Sequence, residues 1–269
     1  MTSVESQALF IDDGSKKSKE LFLEYKLSDK KFIYLKYLDW DTEFFSKQSF
    51  LLDMNKSNFV PSEDLKNELS NNLLDSFISV KINTKIDFEY MNFLQECGFK
   101  YIDTEIQLKH NGLHVHTESD IMVQKLFINE NLPYDDLGSS FNLTRFHTDL
   151  NISNKKADLL WIEYLKNFKP DENKFLYIAK FNKKIVGIAL VNKVDNDANL
   201  FFIAVLDGYR GLGIGKQLMD TVVFNFKDIK IHTETQVKNI KALNFYLQNG
   251  FYVENSFSVL HKWRNNESS

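Results

Sequence analysis

Cysteine is almost missing from this chain of 269 residues; Cys97 stands alone. An internal disulfide and a cysteine-rich zinc site are therefore excluded. No apolar run approaches the about 18 residues that span a bilayer. Residues 1–19 lack the basic-then-apolar order of a signal peptide. They read as a short mobile tail, with Lys16, Lys17 and Lys19 solvated. An excess of positive charge is missing too. The formal charge is −4 and the pI about 5.9, against a domain pI above about 9 for the usual nucleic-acid footprint. A cytoplasmic address, no membrane partner and no nucleic-acid partner are the expectations.

What is present suits a folded α/β protein. Apolar residues make up 43%, charged residues 26% and aromatics 14% of the chain, which argues against disorder over most of its length. At roughly 100–200 residues per domain the length suggests two domains. The turn formers of residues 110–116 and 131–140 place the boundary between them, with a short strand over 121–127. An amino-terminal α/β domain over 1–120 and a second domain over 140–269 are expected.

The second domain is the more legible. Ala157, Trp161, Tyr164, Leu165 and Phe168 share one helical face, and Pro170 ends that helix. Strand-like runs over 175–180 and 185–194 flank Asn182-Lys183 as a hairpin. A polar loop over 196–199 precedes a buried strand over 200–205. A glycine-rich turn over 208–215 opens a helix ending near Phe226. A strand over 229–233, a helix over 239–248 closed by Gly250 and a strand over 251–261 complete it. An echo of this ending lies upstream. Residues 92–99 align without gaps on 244–251, with Asn, Phe, Gly and Phe coinciding and Leu94 opposite Tyr246.

The turn Arg210-Gly211-Leu212-Gly213-Ile214-Gly215-Lys216 carries the chemistry. Its alternating glycines let backbone N–H groups reach an anion, and the helix start adds about half a positive charge. Phosphate or pyrophosphate is the matching ligand. A Walker loop fails because Gln217 follows Lys216. A Rossmann fingerprint fails on spacing and on the antiparallel strands upstream. A ligand-free glycine turn stays open on these residues alone.

Arg210-x-x-Gly213-x-Gly215 resembles the Q/R-x-x-G-x-G/A signature of the GNAT N-acetyltransferases. Asn239, Ala242, Phe245-Tyr246 and Gly250-Phe251 resemble the second signature of that superfamily, and the order of elements over 155–263 matches too. Within it, Arg145-Phe146, Trp161, Thr235-Gln236, Val253-Glu254 and Trp40-Asp41-Thr42-Glu43-Phe44-Phe45 look like the acetyltransferases of TDP-fucosamine. The resemblance implies a mixed, mostly antiparallel sheet flanked by helices, with a smaller amino-terminal domain that is a degenerate GNAT half. It implies acetyl-CoA as co-substrate, no metal, and a nucleotide-linked amino-dideoxy sugar as acceptor; a homodimer is compatible with it.

It also implies roles. Pantetheine lies along Ile203, Ala204 and Val205, beside a parallel neighbour that splays away. Gly211, Leu212, Gly213, Ile214 and Gly215 give amides to the pyrophosphate, with charge from Arg210 or Lys216. Asn239 holds pantetheine, caps its helix, or both. Tyr246, with an ordinary pKa of about 10, protonates the departing thiolate. Asp207 departs from the common pattern and is expected to face solvent. The base stays open among Asp41, Glu43, His147, Asp149 and Glu234, and Cys97 is read as structural. Trp40, Glu43, Phe44 and Arg145 are the acceptor-binding candidates, with the neighbouring Phe45 completing an aromatic wall for thymine. Transfer to another small amine or a protein amino group is the alternative; a non-catalytic acyl-CoA-binding module is a second.

Overall fold

The computed structural model describes residues 6–11, 20–28, 31–71, 76–85, 88–112, 121–127 and 132–264. In chain order the elements are β1 (Ser6–Ile11), β2 (Glu20–Ser28), β3 (Lys31–Tyr37), α1 (Asp39–Phe45), β4 (Gln48–Leu52), α2 (Glu63–Asn71), β5 (Ser76–Asn83), α3 (Phe88–Glu96) and β6 (Lys100–His110). There follow β7 (Met122–Leu126), α4 (Tyr134–Ser139), α5 (Arg145–Thr148), α6 (Asn154–Asn167), β8 (Lys174–Phe181), β9 (Lys184–Val194) and β10 (Asp197–Val205). A short 3-10 turn (Asp207–Tyr209), α7 (Ile214–Asn225), β11 (Lys230–Gln236), α8 (Ile240–Gln248) and β12 (Tyr252–Trp263) complete the chain. The class is α/β, as expected.

Two compact units emerge: Met1–Thr104 with Phe257–Ser269, and Glu105–Ser256. The division differs from the expected one: the second unit begins at Glu105, inside the domain expected to run to 120, and the chain's end joins the first unit. The reason is strand pairing. Residues 257–263 of β12 pair antiparallel with Phe77–Asn83 of β5, an assignment that turn residues cannot reveal. Two local expectations also change. Tyr134–Ser139 is a helix rather than a loop, and Ser6–Ile11 is a strand rather than part of a tail. Lys16, Lys17 and Lys19 lie outside the described residues.

In the first unit the strands run β1-β2-β3-β4-β5 and then the end of β12. Only β4 and β5 are parallel, joined through α2. Ile33, Leu35, Phe50, Leu65, Ile78 and Leu94 are fully buried between sheet and helices, each large side chain contributing about 1.5–3 kcal/mol. The echo between the two halves of the sequence is structural. After α3, Gly98 (φ +89°) and Phe99 donate N–H groups to the carbonyls of Gln95 and Leu94. After α8, Gly250 (φ +84°) and Phe251 donate to those of Leu247 and Tyr246. Both are Schellman caps in which glycine takes the left-handed position.

Lys262 adds a titration to this unit. It is 6% exposed, and its Nζ donates to the carbonyls of Leu69 (2.7 Å) and Cys97 (2.6 Å), at the carboxy-terminal ends of α2 and α3. Burial, helped by the charge of Arg264, pulls its pKa down to about 8. A base whose folded pKa lies below its unfolded value binds fewer protons when folded, so stability rises with pH across that interval. Unfolding free energy should therefore climb between pH 8 and about pH 10, by up to about 3 kcal/mol. Denaturant melts of the wild type and Lys262→Met should diverge in slope over that window; parallel profiles would remove Lys262 as the source.

In the second unit residues 105–110 of β6 are followed by β11-β10-β9-β8-β7. Every pair is antiparallel except β10 with β11. The hairpin from β8 to β9 turns at Asn182 and Lys183, both with positive φ. Ser153 caps α6 by accepting from the N–H of Lys156. The expected loop over 196–199 is shorter, since β10 begins at Asp197 and Asp195 (φ +52°) makes the turn. Helices α4 to α6 cover one face, with Leu165, Ile188 and Phe202 in their core. Helices α7 and α8 cover the other, with Val191, Leu218 and Tyr246.

Candidate functional site

Strands β10 and β11 part company soon after they meet. They pair at Asp197–Lys230, Ala198–Ile231 and Asn199–His232 and nowhere beyond, although β10 runs on to Val205 and β11 to Gln236. A bulge between Leu200 and Phe202 turns β10 at that point. Thr233 Oγ1 donates to the Leu200 carbonyl at 2.7 Å, bracing the fork. Past the fork Ile203 and Val205 join the core under α7 and α8, while Ala204 joins that under α4 to α6. A linear amide chain can add hydrogen bonds to such an unpaired edge. The corresponding parallel pair of the first unit stays closed, with every residue of Gln48–Leu52 paired on β5.

The glycine turn follows directly. Gly211 (φ +81°) and Gly213 (φ +80°) take left-handed backbone, and Gly213 is the N-cap of α7. The first helical bond described is Gln217 N–H to the Gly213 carbonyl at 3.0 Å, so the helix does not use the amides of Ile214 and Gly215. Among the described residues a Cβ at Gly211 would meet nothing within 4 Å; at Gly213 it would meet only Ile121, at 3.9 Å. Gly215 has a different role, because a Cβ there would press on Phe245 at 3.3 Å.

The cationic side chains are partly committed to neighbours. Arg210 Nε donates to the Val205 carbonyl (3.0 Å) and its Nη1 pairs with Asp207 (2.7 Å). Lys216 pairs with Asp220 at 2.6 Å. Asp207 is exposed, as expected, and holds the arginine in place. An anion at this turn would be attracted chiefly by backbone amides and the helix start. Leu212 is exposed.

Tyr246 lies one helix away. It is 6% exposed and lines the same cavity as the fork and the turn. Burial pushes its pKa above the ordinary value, against a smaller opposing influence of the Thr233 hydroxyl. Asn239, at the start of α8, accepts from Ala242 N–H at 3.3 Å and lines the cavity as well. The capping role is thus present.

The cavity measures about 1410 Å³, above the about 300–1,000 Å³ of an ordinary ligand pocket. Beyond the fork its lining is polar. Alternate residues on paired strands put Glu105 and Gln107 beside Gln236 and Glu234. Arg145, on α5, reaches Glu105 at 3.9 Å and lies over the Phe146 ring. His232 stands between Asp197 (3.2 Å) and Glu254 (3.4 Å). Among the base candidates, Glu234 lines the cavity, His147 is tied to Thr144 (2.8 Å) and Asp158 (3.0 Å), and Asp149 accepts from Asn151. Trp40, Asp41, Glu43 and Phe44 belong to α1 of the first unit, where Trp40 and Phe44 stack at 5.3 Å. Cys97 is buried, and its thiol is pushed up to about 11.

Glu105, Trp161, Asn192 and Asn199 also line the cavity. Nothing in their residue types or spacing gives any of them a site role. Trp161 looks like one more core position on a helix face, and the others acquire a common wall only through strand register. The described residues hold no group of acids, histidines or cysteines able to bind a metal ion. No described helix is long and apolar enough to cross a membrane.

Residues 141–251 match the model of the Acetyltransferase (GNAT) family. The chain is 22% identical over 215 residues to the spore coat polysaccharide biosynthesis protein SpsD of Bacillus subtilis (strain 168), covering 73% of each. Among solved structures it is similar to a GCN5-related N-acetyltransferase from Sphaerobacter thermophilus, with a TM-score of 0.58 and 11% identity over 93% of this chain and 82% of that one. It is also similar to a tandem GNAT protein of the clavulanic acid biosynthesis pathway, with a TM-score of 0.53 and 11% identity over 90% of this chain and 82% of that one. These structural likenesses show the fold.

Proposed function

We propose that this acetyl-transfer enzyme, whose residues 141–251 are a GNAT acetyltransferase domain, acetylates the amino group of a TDP-linked amino-dideoxy sugar. The family's donor is acetyl-CoA. Its pantetheine would pair with the open edge of β10 over residues 203–205, and its pyrophosphate would sit on the amides of residues 211–215. The free amine attacks the thioester carbonyl, a C–N bond forms, and the C–S bond breaks as thiolate leaves beside Tyr246. The amine's surplus proton is lost to solvent or a base.

The acceptor reading is carried by the cavity continuing past the fork into a wing holding Arg145. Arg145 Nε is buried without a hydrogen-bond partner among the described residues, and a guanidinium matches phosphate oxygens in bidentate fashion. The likeness to SpsD, a polysaccharide biosynthesis protein, points the same way. Arg145→Ala should raise the KM for a TDP-amino sugar by about 10–100-fold, the worth of a charge-assisted hydrogen bond. The Kd for acetyl-CoA should not change. The decisive measurements are thiol release with a panel of amino sugars, simple amines and peptides, and a crystal soaked with CoA and TDP. Turnover confined to peptides, or no density for a second nucleotide, would overturn the reading.

A further inference from the structure

The cavity wall has two chemical characters. Glu105, Arg145 and Glu234 bring charge. Another part of the wall is neutral and aromatic. Trp161 lies against Phe141 (5.4 Å), Tyr164 (6.2 Å) and Phe202 (6.2 Å). Burial pushes the Tyr164 phenol up to about 12, so it is uncharged. Asn192 of β9 faces Asn199 of β10 across the strand pair, and both line the cavity.

Two polar atoms of this wall are left over. Trp161 Nε1 and Asn192 Oδ1 are shielded from solvent and have no hydrogen-bond partner among the described residues. One is an obligate donor and the other an acceptor. Buried groups of this kind normally find partners, and these two belong to side chains lining one cavity. A hydroxyl group accepts one hydrogen bond and donates another, so it satisfies both senses. An aromatic surface edged by neutral amides is suited to a ring with C–H faces and hydroxyl edges, whereas a charged wall suits an amine or a phosphate. We propose that Trp161 and Asn192 form a sugar-ring subsite that reads ring hydroxyls of the acceptor and so fixes which sugar is acetylated.

This inference rests on the acceptor being an amino sugar, and the test separates the two. Trp161→Phe keeps a ring and deletes only the N–H; Asn192→Leu keeps the approximate volume and deletes the amide. Each should raise the KM for the amino sugar by about 5–30-fold, the worth of a neutral hydrogen bond left unmade. The Kd for acetyl-CoA and turnover of a hydroxyl-free amine should stay at wild-type values. A deoxy analogue lacking the hydroxyl that is read should be as poor for the wild type as the parent sugar is for Trp161→Phe. An unchanged KM in Trp161→Phe, or an equal loss with the hydroxyl-free amine, would overturn the subsite even should Asn192→Leu fail to fold. A wild type that acetylates amines but no amino sugar would bring down the acceptor reading instead.

Discussion

Tyr246→Phe should lower kcat by about 10²–10⁴-fold and leave the Kd for acetyl-CoA almost unchanged. The change removes one oxygen from a residue that is 6% exposed and keeps its ring contacts with Phe245 and Phe251. Burial raises the phenol pKa, so Tyr246 is protonated throughout the working pH range. A thiol has an ordinary pKa near 8.5. Full proton transfer from this phenol to a thiolate would therefore be uphill, and in the proposed mechanism its strongest effect would be as a hydrogen-bond donor while the C–S bond stretches. The Thr233 hydroxyl donates its hydrogen bond to the Leu200 carbonyl. Stopped-flow measurement of thiol release at saturating acetyl-CoA isolates the step. Wild-type turnover in the Phe variant would show that sulfur leaves unaided.

The same tyrosine shows why the sequence was legible in one half and opaque in the other. Helix α8 and its glycine cap follow from local rules: an asparagine N-cap, an apolar stripe and a left-handed glycine. The glycine turn is equally local, since positive φ selects glycine whatever surrounds it. Leu94 and Gly98 obey the same rules as Tyr246 and Gly250, and they produce the same cap. What separates the two is tertiary. The parallel pair β4–β5 is closed, whereas β10–β11 forks at a bulge, and no residue type announces a fork. Strand register hid the rest. Glu105 faces Gln236 because β6 pairs with β11, across more than a hundred positions of chain. The exchange of final strands hid the division between units for the same reason: β12 follows α8 in sequence, yet its end completes the sheet of β5.

Gly213→Val should abolish CoA binding while the protein stays folded. At φ +80° a residue with a Cβ costs about 1–2 kcal/mol, and β-branching adds to it. That is enough to move the backbone of an N-cap but small beside the stability of a domain. Among the described residues a Cβ at this position would find only Ile121, at 3.9 Å. The substitution is therefore not excluded by packing; its damage falls on the ligand side. The amides of Ile214 and Gly215 point correctly only while Gly213 is left-handed, and the isopropyl group would occupy the approach of the pyrophosphate. Calorimetric titration with CoA should show affinity falling by more than about 100-fold, the combined worth of two charge-assisted hydrogen bonds. Gly208→Ala supplies the control. Gly208 lies in the 3-10 turn just upstream and lacks a positive φ, and a Cβ added there would meet nothing within 4 Å. That variant should bind CoA as the wild type does. Equal weakening in both variants would mean that any added bulk disturbs the loop; normal binding by Gly213→Val would move the pyrophosphate away from the start of α7.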